Sequence, residues 1–328
     1  MRIVQIAPRL PPPAEGVGSY ALALAGALEG HGIATRFLAS TEIPRKAEAV
    51  AAFLEGEKPD AVLLHYANYG YQSRGCPVWL VDGLDRWRDR GPGRRLVTFF
   101  HEVWASGPPW RSSFWLLPVQ RRLAARLTRL SESLATSLEI YSGLLRPWAR
   151  DVAVMPVFST VGEPAAVPSL AERAHRIVVF GGEGVRRRAW GPFRHLLVEA
   201  VHALGAEEVC DVGAPVEVPA SVGGAPVRRL GPLSGEEVSG LLLGSAAGFL
   251  AYPPDFLPKS TIFAAYCSHG TLPVCAWNRH PQDGPPYWRG SGDPQAVASA
   301  AREWYAGHSL ARQAERFRAL LAGESAGR

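Results

Sequence analysis

Short, nearly unbroken apolar runs alternate with helical stretches along the whole chain, and this alternation limits the possible folds more than any other feature. In the first half the runs RIVQI (2–6), TRFLAS (35–40), DAVLLHY (60–66), RLVTFFHE (95–102), SLATS (133–137) and DVAVMPV (151–157) read as strands. SYALALAGALEGHG reads as a helix ending at glycine, and further helices are expected at about 44–57, 79–89, 118–130 and 138–147. Strands that are apolar on both faces must be covered on both, and intervening helices do this by crossing over between parallel neighbours. The pattern resumes with RIVVFGG (176–182), EVCDVG (208–213), VRRLGPL (227–233), AGFLAYPP (247–254) and LPVCAW (272–277). Ser234 with Glu237 forms a capping box, and Asp293 followed by Pro294 places a cap before a proline at the first helical position. The last helices span about 293–307 and 309–322, ahead of a short polar tail.

Two such series in 328 residues agree with a prior of roughly 150 residues per domain. STVGEPAAVPSLAERAHR (158–175) is polar, proline-containing and non-periodic, as an interdomain linker would be. The expectation is an α/β chain of two Rossmann-like domains facing a central cleft. The domains are 1–158 on the acceptor side and 176–328 on the donor side, joined by linker 159–175, with the last helix a candidate to pack back on the first domain.

No apolar run reaches the roughly 18 residues of a membrane span, and MRIVQIAPRLPPP lacks a signal peptide's charged start and long apolar region, so a cytoplasmic location is expected. Cys76, Cys210, Cys267 and Cys275 include no CxxC pair and no zinc-like cluster with histidine, and read as free thiols. The net charge is +5, but the arginines are spread along the chain rather than gathered into a stripe. This argues against nucleic acid and fits a phosphate-bearing small molecule. Of the 35 basic residues only Lys46, Lys58 and Lys259 are lysines, which makes a lysine at a special position informative.

Ligands of open parallel sheets bind beyond the carboxyl ends of the strands, where loops meet helix N-termini. After the first strand, Gly16, Gly18 and Ser19 stand at a helix start, where exposed amides and the helix dipole can receive an anion. The loop is too long, and lacks the third glycine, for a nicotinamide fingerprint. His101 and Glu102 end the fourth strand, where a histidine can bond a sugar hydroxyl or hold a proton. His65 has a similar place on the neighbouring strand. Trp104, Trp110, Phe114 and Trp115 follow in an insertion; rings of this kind stack on sugar faces, cover an apolar acceptor or touch a membrane surface, with core packing the competing role. In the second half, Glu183 and Arg186, Arg187 and Arg188 follow a glycine-rich turn, where an arginine fork suits a diphosphate. Lys259, Ser260 and Thr261 open a helix after a proline loop; a cation at that positive end is unfavourable without an anionic partner.

Taken in order, MRIVQIAPRLPPPAEGVGSYALALAGALEGHG, TFFHE, VMPVFSTVGE, VVFGGEGVRRRAW and LGPLSGEEVSGLLLGSAAGFLAYPP followed by KSTIFAAYCSHGTLPV resemble the family 4 branch of GT-B glycosyltransferases. The resemblance implies retaining, metal-independent transfer of a sugar from a nucleotide-diphosphate donor, with no further cofactor, to a small-molecule, glycan or lipid-linked acceptor. It implies catalytic roles for His101, Arg188 and Lys259 and donor contacts from Gly16, Gly18, Ser19, Glu183, Arg187, Ser260 and Thr261. His65, Glu102, Trp104 and Trp110 would face the acceptor. The chain departs from the family pattern where a pair of glutamates is usual: Leu257 and Ala265 stand there. An inactive relative that binds a sugar nucleotide or serves as a partner subunit, and an epimerase or phosphorylase on the same architecture, are the alternatives.

Overall fold

The computed structural model describes residues 1–12, 16–105, 108–149 and 151–324. Residues 13–15 of the first glycine loop, Ser106 and Gly107 of the aromatic insertion, Arg150 and the tail 325–328 lie outside the described residues. The chain divides into two units, Met1–Pro156 with Leu310–Arg328, and Val157–Ser309.

The first unit contains β1 (Arg2–Ala7), α1 (Gly16–Glu29), β2 (Ala34–Ala39), α2 (Ala47–Glu57), β3 (Ala61–Tyr66), α3 (Asn68–Tyr71), α4 (Val78–Asp89), β4 (Arg95–Phe100), α5 (Ser112–Leu130), β5 (Ser133–Thr136), α6 (Glu139–Leu145) and β6 (Ala153–Val154). Its sheet is parallel throughout, in the order β2-β1-β3-β4-β5-β6. The direction of winding reverses between β1 and β3, the switch point of an open α/β sheet. Ile6, Leu64, Tyr66 and Phe100 pack on one face with Leu54, Leu84 and Leu127, each such side chain contributing about 2 kcal/mol by leaving water. The alternate residues Gln5, His65 and Phe99 face the other side. There Tyr20 of α1 stacks on Phe99 at 5.5 Å. Helix α5 starts at Ser112, earlier than its apolar period suggests, so Phe114, Trp115 and Pro118 belong to the helix rather than to an insertion before it.

The second unit contains β7 (Ala174–Phe180), α7 (Glu183–Trp190), α8 (Arg194–Leu204), β8 (Glu208–Val212), β9 (Ser221–Val222), β10 (Ala225–Gly231), α9 (Gly235–Leu243), β11 (Ser245–Ala251), α10 (Thr261–Ser268), β12 (Leu272–Ala276) and α11 (Pro294–Ala306). A 3-10 turn, Pro254–Lys259, leads into α10. The sheet order is β12-β11-β7-β8-β10-β9, parallel except for β9 against β10, and the winding reverses between β7 and β11. Both sequence-level caps are present. Ser234 and Glu237 exchange hydrogen bonds at 3.2 and 2.7 Å at the start of α9, and Asp293 accepts from the Gln295 amide at 3.0 Å at the start of α11.

Residues 159–175 belong to the second unit rather than standing apart as a linker. Arg173, buried, donates to the carbonyls of Pro168 (2.8 Å), His269 (2.9 Å) and Leu242 (3.2 Å), and Arg302 donates to Pro164 and Ala165 at 3.2 and 3.1 Å. The segment is anchored through its backbone carbonyls, which an apolar-periodicity reading does not register. The last helix, α12 (Leu310–Ala322), belongs to the first unit. Its Phe317 meets Phe99 edge-on at 5.4 Å, and its Leu321 carbonyl accepts from Arg95 at 2.8 Å.

In each unit the strands beside the reversal stop pairing before their ends, and a tyrosine hydroxyl stands in the gap. β1 and β3 pair as far as Ile6 and Leu64; the Tyr71 hydroxyl then lies 3.0 Å from the Ile6 carbonyl and 2.8 Å from that of His65. β7 and β11 pair as far as Val178 and Gly248; the Tyr266 hydroxyl lies 3.0 Å from the Val178 carbonyl and 3.2 Å from that of Phe249. A Cβ at Gly248 would stand 2.2 Å from the Tyr266 ring, so only glycine lets the ring cross β11 there. Among the described residues no helix is long and apolar enough to cross a membrane, and all four cysteines are thiols.

Candidate functional site

In the first unit the polar residues at the strand ends form a chain inside the fold. The His101 amide, just past β4, donates to the Tyr66 carbonyl at 2.9 Å, which holds His101 beside the end of β3. Its ring Nε2 lies 3.1 Å from Nδ1 of His65, and Nε2 of His65 lies 2.8 Å from Oε1 of Gln5. Gln5 in turn reaches the Thr35 hydroxyl at 3.5 Å. Tyr20 and Phe99 present ring edges to His101 at 5.2 and 4.5 Å. His65 is fully buried, and burial lowers its pKa to about 3, so it is neutral at ordinary pH. With no exposed surface and both ring nitrogens engaged inside the unit, His65 is not an acceptor contact, contrary to the expectation from its strand-end position. Gln5 was not singled out from sequence. The available signal was two polar residues in otherwise apolar, adjacent strands, separated by an even register and hence on one face.

Gly16 opens α1, and Gly18 is buried where a Cβ would stand 2.2 Å from the Arg9 carbonyl, so Arg9 can approach the helix start only because Gly18 has no side chain. Ser19, half-buried, follows in the same turn. Glu102 is half-buried, and its charge adds to burial in pushing the Tyr141 hydroxyl up to about 12. Trp104 packs edge-on against Trp148 at 6.0 Å, with the Arg121 guanidinium over both rings. Trp110 is 84% exposed.

In the second unit the three arginines lie within α7 rather than on a loop before it. Successive residues of a helix point about 100° apart, so the three cannot act as one fork. Arg186 points inward: it is 1% exposed, pairs bidentately with Asp211, and shares that carboxylate with the Trp190 indole N–H at 2.7 Å. Arg187 points outward and pairs with Glu183 one turn back at 2.6 Å, so the structure joins these two expected donor contacts to each other on an exposed surface. Arg188 points toward the end of β11, its Nε donating to the Ala251 carbonyl at 3.1 Å.

The same strand end leads through the 3-10 turn to Lys259, which is half-buried with its ammonium 5.9 Å from the Phe256 ring. Ser260 caps α10, its hydroxyl oxygen accepting from the Phe263 amide at 3.2 Å, and Thr261 is the first helical residue. Gly181, at φ +124°, follows β7; a Cβ there would meet Ile262 at 2.2 Å, so the β7 turn and the first turn of α10 are in contact. The structure thus brings Arg188 to the end of β11 and the Gly181–Gly182 turn to the start of α10, which Lys259 precedes by two residues. Leu257 and Ala265, at the usual glutamate positions, are fully buried.

Two surface grooves lie elsewhere, one of about 490 Å³ along α5 beside Arg121, Arg122, Arg129 and Trp148, and one of about 370 Å³ beside Arg187 and Trp190. Neither is lined by His101, Arg188 or Lys259. Among the described residues no three His, Cys, Asp or Glu side chains gather as a metal-binding group.

No protein-family model matches the sequence, and no curated protein does. Solved structures do match. An alpha,alpha-trehalose-phosphate synthase (UDP-forming) from Burkholderia vietnamiensis is 11% identical with a TM-score of 0.60, over 98% of this chain and 97% of that one. An alpha-glucosyltransferase in complex with UDP and a 13-mer DNA containing a HMU base is 13% identical with a TM-score of 0.57, over 99% and 95%. A protein assigned as a UDP-N-acetylglucosamine 2-epimerase, from Listeria monocytogenes, is 11% identical with a TM-score of 0.51, over 97% and 95%. Identities this low speak to architecture alone, and the architecture is the GT-B fold, two Rossmann-like domains each built on a mainly parallel sheet.

Proposed function

We propose that the protein is a glycosyltransferase that moves a sugar from a nucleotide-diphosphate donor to an acceptor hydroxyl, with retention and without a metal. The observation that supports this reading is that Arg188 reaches the end of β11, the strand that leads to Lys259 and the first turn of α10, while that turn touches the end of β7. When the bond from the anomeric carbon to the diphosphate breaks, negative charge grows on the departing oxygen. Positive groups already placed for that charge lower the barrier. The α10 dipole and its first-turn amides add to the two side chains. His101 would bond a hydroxyl of the donor sugar. Gly16, Gly18 and Ser19 would offer the α1 start to the donor, and Glu102 and Trp110 would face the acceptor. The DNA, UDP and trehalose-phosphate named with the structural relatives describe those proteins; UDP is the first nucleotide to try here.

A second reading, a sugar-nucleotide binder without transferase activity or an epimerase, is favoured by the buried Leu257 and Ala265, which leave the usual carboxylate positions apolar. A thermal-shift screen with UDP, GDP, TDP and ADP, followed by donor panels with and without acceptors, separates the readings. Transferase activity predicts a melting-temperature rise with one nucleotide and sugar transfer or slow donor hydrolysis with its sugar conjugate. A rise without turnover supports the binder, and isomerised sugar or free nucleotide without acceptor supports the epimerase. No response to any nucleotide removes the proposed site.

A further inference from the structure

We propose that Gln5 and His65 are positioning residues that hold His101 in one tautomer, with its proton on Nε2 and with Nδ1 as the acceptor. The proposal rests on the reading of His101 as the residue that meets a substrate hydroxyl, and it explains how a lone strand-end histidine acquires a defined polarity.

The argument follows the hydrogen bonds outward from the buried end. Gln5 directs its amide N–H toward the Thr35 hydroxyl and its Oε1 toward Nε2 of His65. A carbonyl oxygen only accepts, so Nε2 of His65 carries a proton. His65 is fully buried against Gln5 and the Tyr20 and Phe99 rings, with no carboxylate or cation bonded to it among the described residues, and is therefore neutral. A neutral imidazole with its proton on Nε2 can only accept at Nδ1. The hydrogen in the 3.1 Å contact between the two rings therefore belongs to Nε2 of His101. The edge contacts from Phe99 and Tyr20, at interplanar angles of 90° and 86°, leave the His101 ring little freedom to turn and present the other nitrogen at that position.

Two consequences follow. In this tautomer Nδ1 is the accepting nitrogen of the His101 ring, the polarity that suits a sugar hydroxyl acting as donor. If His101 takes up a proton, it does so at Nδ1, and the bond from Nε2 to His65 persists unchanged, so the ring can gain and return that proton without rearranging the chain behind it. Neither property is available to a histidine free to exchange tautomers.

The test combines a spectrum with kinetics on the full chain. Nitrogen-15 labelled histidine, read by long-range proton–nitrogen correlation and assigned by loss of the His101 signals in His101→Gln, should show the Nε2–H form alone in the unmodified protein. In His65→Leu the two tautomers of His101 should mix. His65→Asn, whose side-chain oxygen stands where Nδ1 stood, should restore the single form. Turnover with a responsive donor should fall at least about tenfold in His65→Leu, with KM for that donor within about twofold, and His65→Asn should recover most of it. Gln5→Leu keeps both histidines and should mix the tautomers by freeing the proton of His65, so the question stays answerable if His65→Leu does not fold. An Nδ1–H form of His101 in the unmodified protein, or a spectrum unchanged in both His65→Leu and Gln5→Leu, overturns the proposal. If no donor is turned over, the spectrum still decides the tautomer, and it is the glycosyltransferase reading that falls.

Discussion

The strand ends at the two switch points are built from opposite chemistry. In the first unit Gln5, His65 and His101 form a hydrogen-bonded chain around a neutral His65, flanked by aromatic rings. In the second unit Arg188 and Lys259, both half-buried, stand with the positive end of a helix. The groups of the first unit are held by one another inside the fold, whereas Arg188 and Lys259 keep partial contact with water. The first arrangement is suited to orienting a hydroxyl and the second to offsetting phosphate charge. Each unit thus carries its own kind of polar strand end, one suited to shape and one to charge.

The sharpest way to break this contrast is to remove one group from each side. Lys259→Ala is expected to lower turnover by about two to three orders of magnitude and to weaken nucleotide binding, with circular dichroism unchanged. His101→Ala is expected to lower turnover by about two orders of magnitude while the Kd for nucleotide stays within about twofold. Equal loss of binding and turnover in both variants would erase the distinction.

The arginines of α7 sharpen the comparison within one helix. Arg186→Leu leaves Asp211 buried with its charge unpaired and should cost about 3–5 kcal/mol in chemical denaturation. Arg188→Ala should weaken nucleotide binding about tenfold at constant melting temperature. Arg187→Ala, which breaks only an exposed pair, should change neither measurement. A binding loss in Arg187→Ala equal to that in Arg188→Ala would contradict the assignment of Arg188 to the site.

A further effect is expected in acid. Burial holds His65 at about 3 and, with help from the nearby Arg173 and Arg302 charges, His269 at about 4, against about 6.5 unfolded. The unfolded chain therefore binds more protons between these values. The contribution of each neutral histidine is complete above about pH 6.5 and is lost as pH falls toward the folded value, by about 1 kcal/mol per pH unit per histidine. Denaturant melts at pH 7, 6 and 5 should show this slope, and His65→Asn should reduce it by one proton. An unchanged slope in that variant would mean that His65 is not held neutral by the fold.

Much of the architecture was legible because strand–helix alternation, the capping pairs at Ser234 and Asp293, and the strand ends at His101 and before Lys259 are local signals. The direction of individual side chains was not. Arg186, Arg187 and Arg188 look equivalent until the start of α7 is known, and the glycines before it conceal that start. His65 sits in a strand buried on both faces, where period-two alternation vanishes and does not reveal which residues face water. The early start of α5 was hidden by Pro118, a residue that ordinarily marks a helix beginning rather than its second turn. The segment 159–175 looked detached because its anchors are long-range bonds from Arg173 and Arg302 to carbonyls.

The tyrosines in the strand gaps give the switch points a fixed geometry of their own. Tyr71 and Tyr266 occupy the space where the next rung of each ladder would otherwise form, and each hydroxyl stands beside one carbonyl from each of the parted strands. Each works as a wedge that is also a bonding partner, so neither sheet can zip shut at this end. The parting of the strands whose ends meet His101 and Arg188 is thus set by residues of each unit's own interior.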